Sequence, residues 1–395
     1  MRNQIARDRS VPVSQSAAEL RDRLVDALRT SRALSSEAVA RAFRTVPRER
    51  FVPGYALDEV YRDQAIVTKN EDGVPVSSSS QPAMMALMLE QLDVRPGLKV
   101  LEIGAGTGYN AALLSELVGP SGSVTTIEID PEVVTWARER LRSAGYGRVQ
   151  VIEGDGGDGW LPGAPYDRIE LTVGAADIAP TWVEQLKPGG ILVLPLWVNT
   201  VQICLALAKE EDGLRSVSSL PCGFTRIRGR LAGKDQYREL LPGVILSTGA
   251  GAPSDDVVRR TLRQRPRRTH LAAGGSWFGF MLWLALNGGP MLSVSTEDDA
   301  MLGFAGFAGG VIDASGDSAC LVTLTLTGDG PATILSYGGS AAQEQVERLY
   351  VSWQAAGSPD IQQIGVTALP KSVPTGAIEG FAQVETEIWR LTFRL

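Results

Sequence analysis

Apolar residues recur at helical spacing from residue 16 to 47: Leu20, Leu24 and Leu28, then Val39, Ala42 and Phe43. This pattern predicts two short amphipathic helices, the second closed by the tract Val46-Pro-Arg-Glu-Arg-Phe-Val-Pro53. From residue 83 to about 230, β-rich runs alternate with helical ones. A helix is predicted over 83–92, with Pro82 in its first turn and Ser80 as its cap. There follow a strand over 99–103, a helix over 109–117, a strand over 124–129, a helix over 132–144 and a strand over 149–152. Strands over 168–173, 190–195 and 201–209 complete the series. Such alternation implies an α/β fold with a doubly wound, largely parallel sheet. After residue 240 the rhythm changes. A glycine-rich joint at 248–254 precedes apolar segments at 276–286, 318–326 and 332–337, a helical run at 341–356, and strands near 361–368 and 384–394. The expected organisation is a polar, flexible arm over 1–15, an α/β domain over 16–240 and a separate C-terminal α+β domain over 255–395.

Composition narrows the function classes. A net charge of -7 over 395 residues argues against a nucleic-acid partner, which calls for a basic stripe. The longest apolar run, 277–286, is too short to span a bilayer and reads as a buried strand or helix, so no membrane partner is expected. Its aromatic cluster Trp277, Phe278, Phe280 and Trp283 reads as core. Cys204, Cys222 and Cys320 are odd in number and far apart, which indicates neither a disulfide framework nor a metal site. With no secretory pattern at residues 1–15, a reducing cytoplasm is the expected location. The single histidine, His270, lies in the basic stretch 263–270 and reads as a solvated surface residue, so a Ser-His-Asp site is not expected.

The strongest chemical signal is Leu101-Glu102-Ile103-Gly104-Ala105-Gly106-Thr107-Gly108, where a strand runs through a glycine-rich turn into a helix. Backbone N–H groups at such a turn form a ready nucleotide cradle. The glycine spacing differs from the dinucleotide pattern G-x-G-x-x-G. Glu102, before the first glycine, suits an ammonium and not a pyrophosphate. Glu128, at the end of the next strand, suits the two ribose hydroxyls, and Asp155, after the third strand, suits an adenine amino group. Together these acids point to S-adenosylmethionine as the cofactor.

The stretch from Val46 to about Gly229 resembles the protein-L-isoaspartate O-methyltransferases. The matching segments are 46–53, Tyr61-Arg62-Asp63, Ser80-Gln81-Pro82, the glycine loop through Tyr109, Glu153-Gly-Asp155-Gly156, Pro165-Tyr-Asp167-Arg168-Ile169 and Leu186-Lys-Pro-Gly-Gly190. The resemblance implies a Rossmann-like class I methyltransferase domain preceded by helices, with Ser80 as the active-site residue. It extends the cofactor set to Ser79, Gln81, Glu102, Gly104, Ala105, Gly106, Thr107, Gly108, Tyr109, Glu128, Ile129, Gly154, Asp155, Gly156 and Thr172, and places Val76, Ser77, Ser78 and Arg228 at the substrate.

Two departures bear on the substrate. Where the family has a Gly-Gln-Thr-Ile lead into its serine, this chain has Val74-Pro-Val-Ser77-Ser-Ser79. Its closing segment is Phe224-Thr-Arg-Ile-Arg228-Gly229, with Arg228 in place of a small hydroxyl residue and available to a further carboxylate. The chain also continues for about 165 residues beyond the point where repair enzymes of this type usually stop. Such extensions are similar to those of homologues that accompany ribosomally made modified peptides, including lanthipeptides. The leading expectation is therefore methylation of an aspartyl carboxylate in such a peptide, the ester leading to aspartimide or isoaspartate. Repair of isoaspartyl proteins and a non-catalytic, peptide-presenting adaptor are the alternatives. The sequence leaves the oligomeric state open.

Overall fold

The structure, a computed structural model, describes residues 16–71, 74–233, 237–272, 274–323, 331–373 and 380–395. The predicted arm at 1–15 lies outside the described residues. Helices α1 (Ala17–Thr30) and α2 (Glu37–Thr45) each start on a serine. Ser16 forms a capping box with Glu19, and Ser36 Oγ accepts from Ala38 N and Val39 N. Both helices bury the apolar stripe that the spacing predicts. The short helix α3 (Leu57–Val60) leads into an antiparallel hairpin, β1 (Ile66–Glu71) and β2 (Val74–Ser79), which the sequence reading did not anticipate.

The alternating region follows: α4 (Pro82–Leu92), β3 (Lys99–Ile103), α5 (Tyr109–Val118), β4 (Ser123–Glu128), α6 (Pro131–Ser143), β5 (Gln150–Glu153), β6 (Tyr166–Leu171), α7 (Pro180–Gln185), β7 (Leu186–Val198), β8 (Val201–Lys209) and β9 (Leu214–Pro221). Strands β5, β4, β3, β6 and β7 run parallel in that order, and β8 and β9 extend the sheet antiparallel. On β3 the pleat sends Val100 into one core layer and Leu101 and Ile103 into the other.

A second sheet of seven antiparallel strands is then inserted. Its elements are β10 (Arg238–Leu241), β11 (Val244–Thr248), α8 (Asp255–Leu262), β12 (Arg267–Leu271), α9 (Trp277–Asn287), β13 (Met291–Thr296), α10 (Asp299–Leu302), β14 (Gly306–Ile312), β15 (Ser318–Thr323) and β16 (Ala332–Gly338). Helix α11 (Ala341–Ala355) packs on this sheet. The chain then returns: β17 (Gly365–Pro370), β18 (Ala382–Glu385) and β19 (Trp389–Arg394) add to the first sheet, β17 pairing antiparallel with β9 through Thr367–Arg215 and Ala368–Leu214. The expected separate domain over 255–395 is thus corrected. Its last strands belong to the first sheet, where they cover the edge that β9 would otherwise leave open.

Helix α9 joins the two sheets, touching β7, β8 and β18 on one side and β14 and α11 on the other. A helix covered on most of its circumference carries no polar stripe, which explains the unbroken run Trp-Phe-Gly-Phe-Met-Leu-Trp-Leu-Ala-Leu. Trp277, Phe280 and Trp283 are core, as expected, whereas Phe278 is exposed. His270 is exposed on β12, so the basic stretch 263–270 ends in an edge strand.

Candidate active site

The ends of β3 and β4, the turn after β5 and the closing segment 225–228 open on a cleft. Of the residues expected from sequence, Val76, Ser77, Ser78, Ser79, Ser80, Gly104, Ala105, Gly106, Thr107, Tyr109, Glu128, Ile129, Gly156, Thr172 and Arg228 all line it. Strand β2 lies across the glycine loop. A Cβ added at Gly106 would come within 3.2 Å of Ser78 O, and one at Gly104 within 2.7 Å of Thr172 Oγ1. Both glycines hold positive φ, +98° at Gly104 and +50° at Gly106, so backbone conformation and close packing both call for glycine here. Thr172 Oγ1 ties the loop down by donating to Gly104 O at 2.6 Å.

Glu128 occupies the position expected of a diol acceptor. Its carboxylate lines the cleft and accepts from Gly106 N at 3.1 Å, Ile129 N at 3.0 Å and Asp130 N at 3.2 Å. The two crowded glycines and a cleft-facing carboxylate fixed by backbone donors together fit S-adenosylmethionine.

Other expected residues stand elsewhere. Glu102 is fully buried and is not part of the cleft wall, so its expected direct contact with an ammonium is corrected. The wall at that point is Asn110, whose Nδ2 donates to Glu102 Oε1 and to Glu170 Oε2, each at 2.8 Å. Glu102 and Glu170 face each other across β3 and β6 in register. Burial pushes the two carboxyls up, to about 7 and about 8. Asp155 likewise lies outside the wall. Its carboxylate accepts from Gly157 N at 2.8 Å and Arg230 N at 2.9 Å, so it fastens the closing segment. Gly108 starts α5 at φ +84°, Gly154 donates to Glu128 O, and Gln81 turns away to Asp63 Oδ2 at 3.0 Å. None of these three is in the wall either.

Ser80 lies in the wall, at the junction of β2 and α4, but it does not cap the helix as expected. The cap position is Gln81, and Asp63 Oδ1 accepts from Ala83 N at 2.8 Å in the serine's place. Ser80 Oγ is thereby left without a protein partner among the described residues. Arg228 is not free to meet a substrate unaided. It reaches Asp130 at 3.3 Å and Glu128 and Glu71 at 3.6 Å, while Lys69 holds Asp130 at 2.7 Å. These pairs clasp the β1–β2 hairpin to the end of β4. Burial alone would raise the Asp130 carboxyl, but the bonds from Lys69, Val133 N and Arg228 hold it below its ordinary value.

Sequence reasoning did not assign roles to Arg48, Asp63, Lys69, Asn110 or Asp130. Arg48 and Asp63 stand inside matched segments, which was the available signal. Asn110 sits two residues past the glycine loop, on the α5 turn that faces β3.

The sequence profile described as protein-L-isoaspartate(D-aspartate) O-methyltransferase matches residues 19–225. The chain is 43% identical over 211 residues to the protein-L-isoaspartate O-methyltransferase of Methanopyrus kandleri, covering 53% of this chain and 91% of that one. It is 39% identical over 217 residues to that of Methanothrix thermoacetophila, covering 55% and 99%. A solved structure titled protein-L-isoaspartate O-methyltransferase superposes with a TM-score of 0.52 at 27% identity, over 88% of this chain and 96% of its own. That overlap extends well past residue 225, so the region beyond the closing segment is not peculiar to this chain.

Proposed function

Because the chain belongs to the protein-L-isoaspartate O-methyltransferase family, we propose that it esterifies the free carboxylate of isoaspartyl residues in proteins. At the coarser level, it is an S-adenosylmethionine-dependent protein carboxyl O-methyltransferase with a Rossmann-like fold. The observation that carries the finer reading is the pairing, in one cleft, of a partnerless Ser80 hydroxyl with the diol-type carboxylate Glu128.

The chemistry that S-adenosylmethionine supplies when bound is an electrophilic methyl group on a sulfonium sulfur. The acceptor carboxylate is ionised at neutral pH and needs no protein base, in keeping with a cleft that holds no histidine. What the chain must supply is position and dryness. Ser80 Oγ donates to one oxygen of the acceptor carboxylate and leaves the other to attack. Glu128 receives the cofactor's hydroxyls, Asn110 forms the wall at the glycine-loop end, and the β1–β2 hairpin covers the loop.

A second reading is methylation of an aspartyl side chain in a ribosomally made modified peptide of lanthipeptide type. In that case the following backbone nitrogen displaces methanol to give an aspartimide. The serine-rich β2 lead at Ser77–Ser79 favours it. The C-terminal region does not, since a structure titled as an isoaspartate methyltransferase spans it too. The adaptor alternative is set aside by membership of an enzyme family.

Incubation with labelled cofactor and, separately, an isoaspartyl peptide, its aspartyl counterpart and a cyclised precursor peptide tests the assignment. Methyl gain on the isoaspartyl peptide alone is expected. Turnover confined to a cyclised precursor peptide would transfer the assignment to the second reading.

A further inference from the structure

Arg48, in the 3-10 turn Arg48–Arg50, is fully buried and forms no salt bridge among the described residues, the Asp63 carboxylate acting on it only through space. Its two Nη groups are spent on neutral acceptors, while Nε is buried without a partner among the described residues. Nη1 donates to Val60 O at 2.9 Å and Arg62 O at 3.3 Å. Nη2 donates to Gln64 O at 3.2 Å, Ser80 O at 3.0 Å and Ser79 Oγ at 3.5 Å. The ring of Tyr109, in the cleft wall, lies 5.8 Å from the guanidinium carbon.

A buried cation with no carboxylate in direct contact is costly, and an apolar residue of similar volume would fill the same space more cheaply. Burial accordingly lowers the Arg48 pKa. Packing therefore does not explain an arginine here, whereas the identity of its acceptors does. They come from two segments that meet at one point: residues 60–64, ahead of the hairpin, and residues 79–80, where the hairpin turns into α4. The two planar Nη groups of the guanidinium span both, which a point-charge ammonium cannot do.

The result is a serine held on both sides. Arg48 grips the Ser80 carbonyl, while Asp63, from the same 60–64 stretch, holds Gln81 through its side chain and Ala83 through its N–H. The backbone of residues 79–83 is thus fixed while the Ser80 hydroxyl is left open to the cleft.

We propose that Arg48 is a positioning residue for methyl transfer, aiming the Ser80 hydroxyl by fixing its carbonyl against the 60–64 segment. This rests on the reading of Ser80 as the acceptor-orienting group. It places the required precision in the turn's register and not in the hydroxyl's own rotamer, because Ser80 Oγ has no partner to hold it.

The test is a double-mutant cycle on the full chain with S80A, R48K and their combination, using an isoaspartyl peptide and measuring cofactor affinity by calorimetry. Expected for R48K is a kcat at least tenfold lower, with cofactor Kd within about threefold of wild type. In the combined variant the R48K loss largely disappears, since no hydroxyl remains to be aimed. Losses that simply multiply would overturn the proposal, as would a fall in cofactor affinity that matches the fall in kcat. Should R48K not fold, R48Q, which keeps an amide donor without the charge, replaces it in the cycle. If neither folds, Arg48 serves the fold alone and the proposal is lost. An S80A enzyme with wild-type kcat would instead refute the Ser80 reading itself, an outcome visible before any Arg48 variant is made.

Discussion

The two sheets of this chain differ in what they bury. Among the described residues, every buried charged side chain belongs to the first unit: Arg48, Glu102, Glu128, Asp130, Glu170 and Asp177. Among the described residues, the inserted sheet, 238–338, buries only serine and threonine in the polar and charged classes: Ser247, Thr248, Thr261, Ser293, Thr296, Ser318 and Ser336. One unit sustains desolvated charge around a cleft. The other is a core in the ordinary sense, with Tyr337, Leu321 and Val294 at or near zero exposure. The difference teaches where function resides, because an unpaired or strained buried group persists only where the surroundings over-determine it.

The contrast is broken most strongly by mutations that shift stability in one unit and chemistry in the other. The largest effect is expected for Trp353→Ala on α11. This buried ring packs against Phe280 at 5.4 Å and Tyr350 at 5.9 Å, and its Nε1 donates to Pro359 O. It should cost about 3–5 kcal/mol in a denaturant melt, while kcat per folded molecule stays at the wild-type value. A matching fall in kcat would mean that the inserted unit shares in catalysis.

Next comes Ser80→Ala, with the opposite signature. Loss of one positioning donor lowers kcat about a hundredfold, with the melting curve and the cofactor Kd essentially unmoved. Glu170→Gln sharpens the comparison through pH. The native Glu170 carboxyl is raised above its unfolded value, so the folded state binds the extra proton. Stability of the wild type is therefore greatest below the unfolded value and declines as pH climbs through the window from about 5 to about 8. The glutamine variant should flatten that decline and gain about 1–2 kcal/mol at pH 8. A variant that declines in parallel with wild type would assign the slope to other groups.

The smallest effect is expected for Arg228→Thr. Its pairs with Glu71, Glu128 and Asp130 are part-exposed, so removal should change stability by no more than about 1 kcal/mol. Cofactor dissociation measured by stopped flow should quicken about two- to threefold at low salt. At about 0.5 M salt the difference should close, because screening already weakens the clasp.

Much of the first unit was legible from sequence because its signals are local. The strand–glycine-turn–helix at 99–118 announces itself within twenty residues, and Glu128 follows at the end of the next strand. Glu102 was misplaced for a reason that the pleat supplies. Successive residues on β3 face opposite layers, and Glu102 shares its side with Val100, toward α5 and away from solvent. Arg48 was hidden because a charged residue in a polar tract reads as surface, and only the fold brings five acceptors around it. The inserted sheet was least legible. Its strands are short and both-face buried or edge-exposed, so period-two alternation is weak, and β12 was hidden inside an arginine-rich stretch. The return of β17 to β9 joins residues some 150 positions apart, and no local pattern encodes such a pairing.

That return has a consequence for anyone who would shorten the chain. Residues 238–355 leave the first sheet beside β9 and come back to it at β17, so the inserted unit is a loop in the topological sense, with both stems in one sheet. Cutting the chain after β9 would bare a strand whose partner has been thrown away, an invitation to pair with a second molecule. Excising the loop and rejoining its stems would keep β17–β19 in place but uncover the apolar face that α9 shields. A minimal enzyme is therefore reached by replacing that helix's contacts on β7 and β8 with polar residues, not by choosing a stop codon.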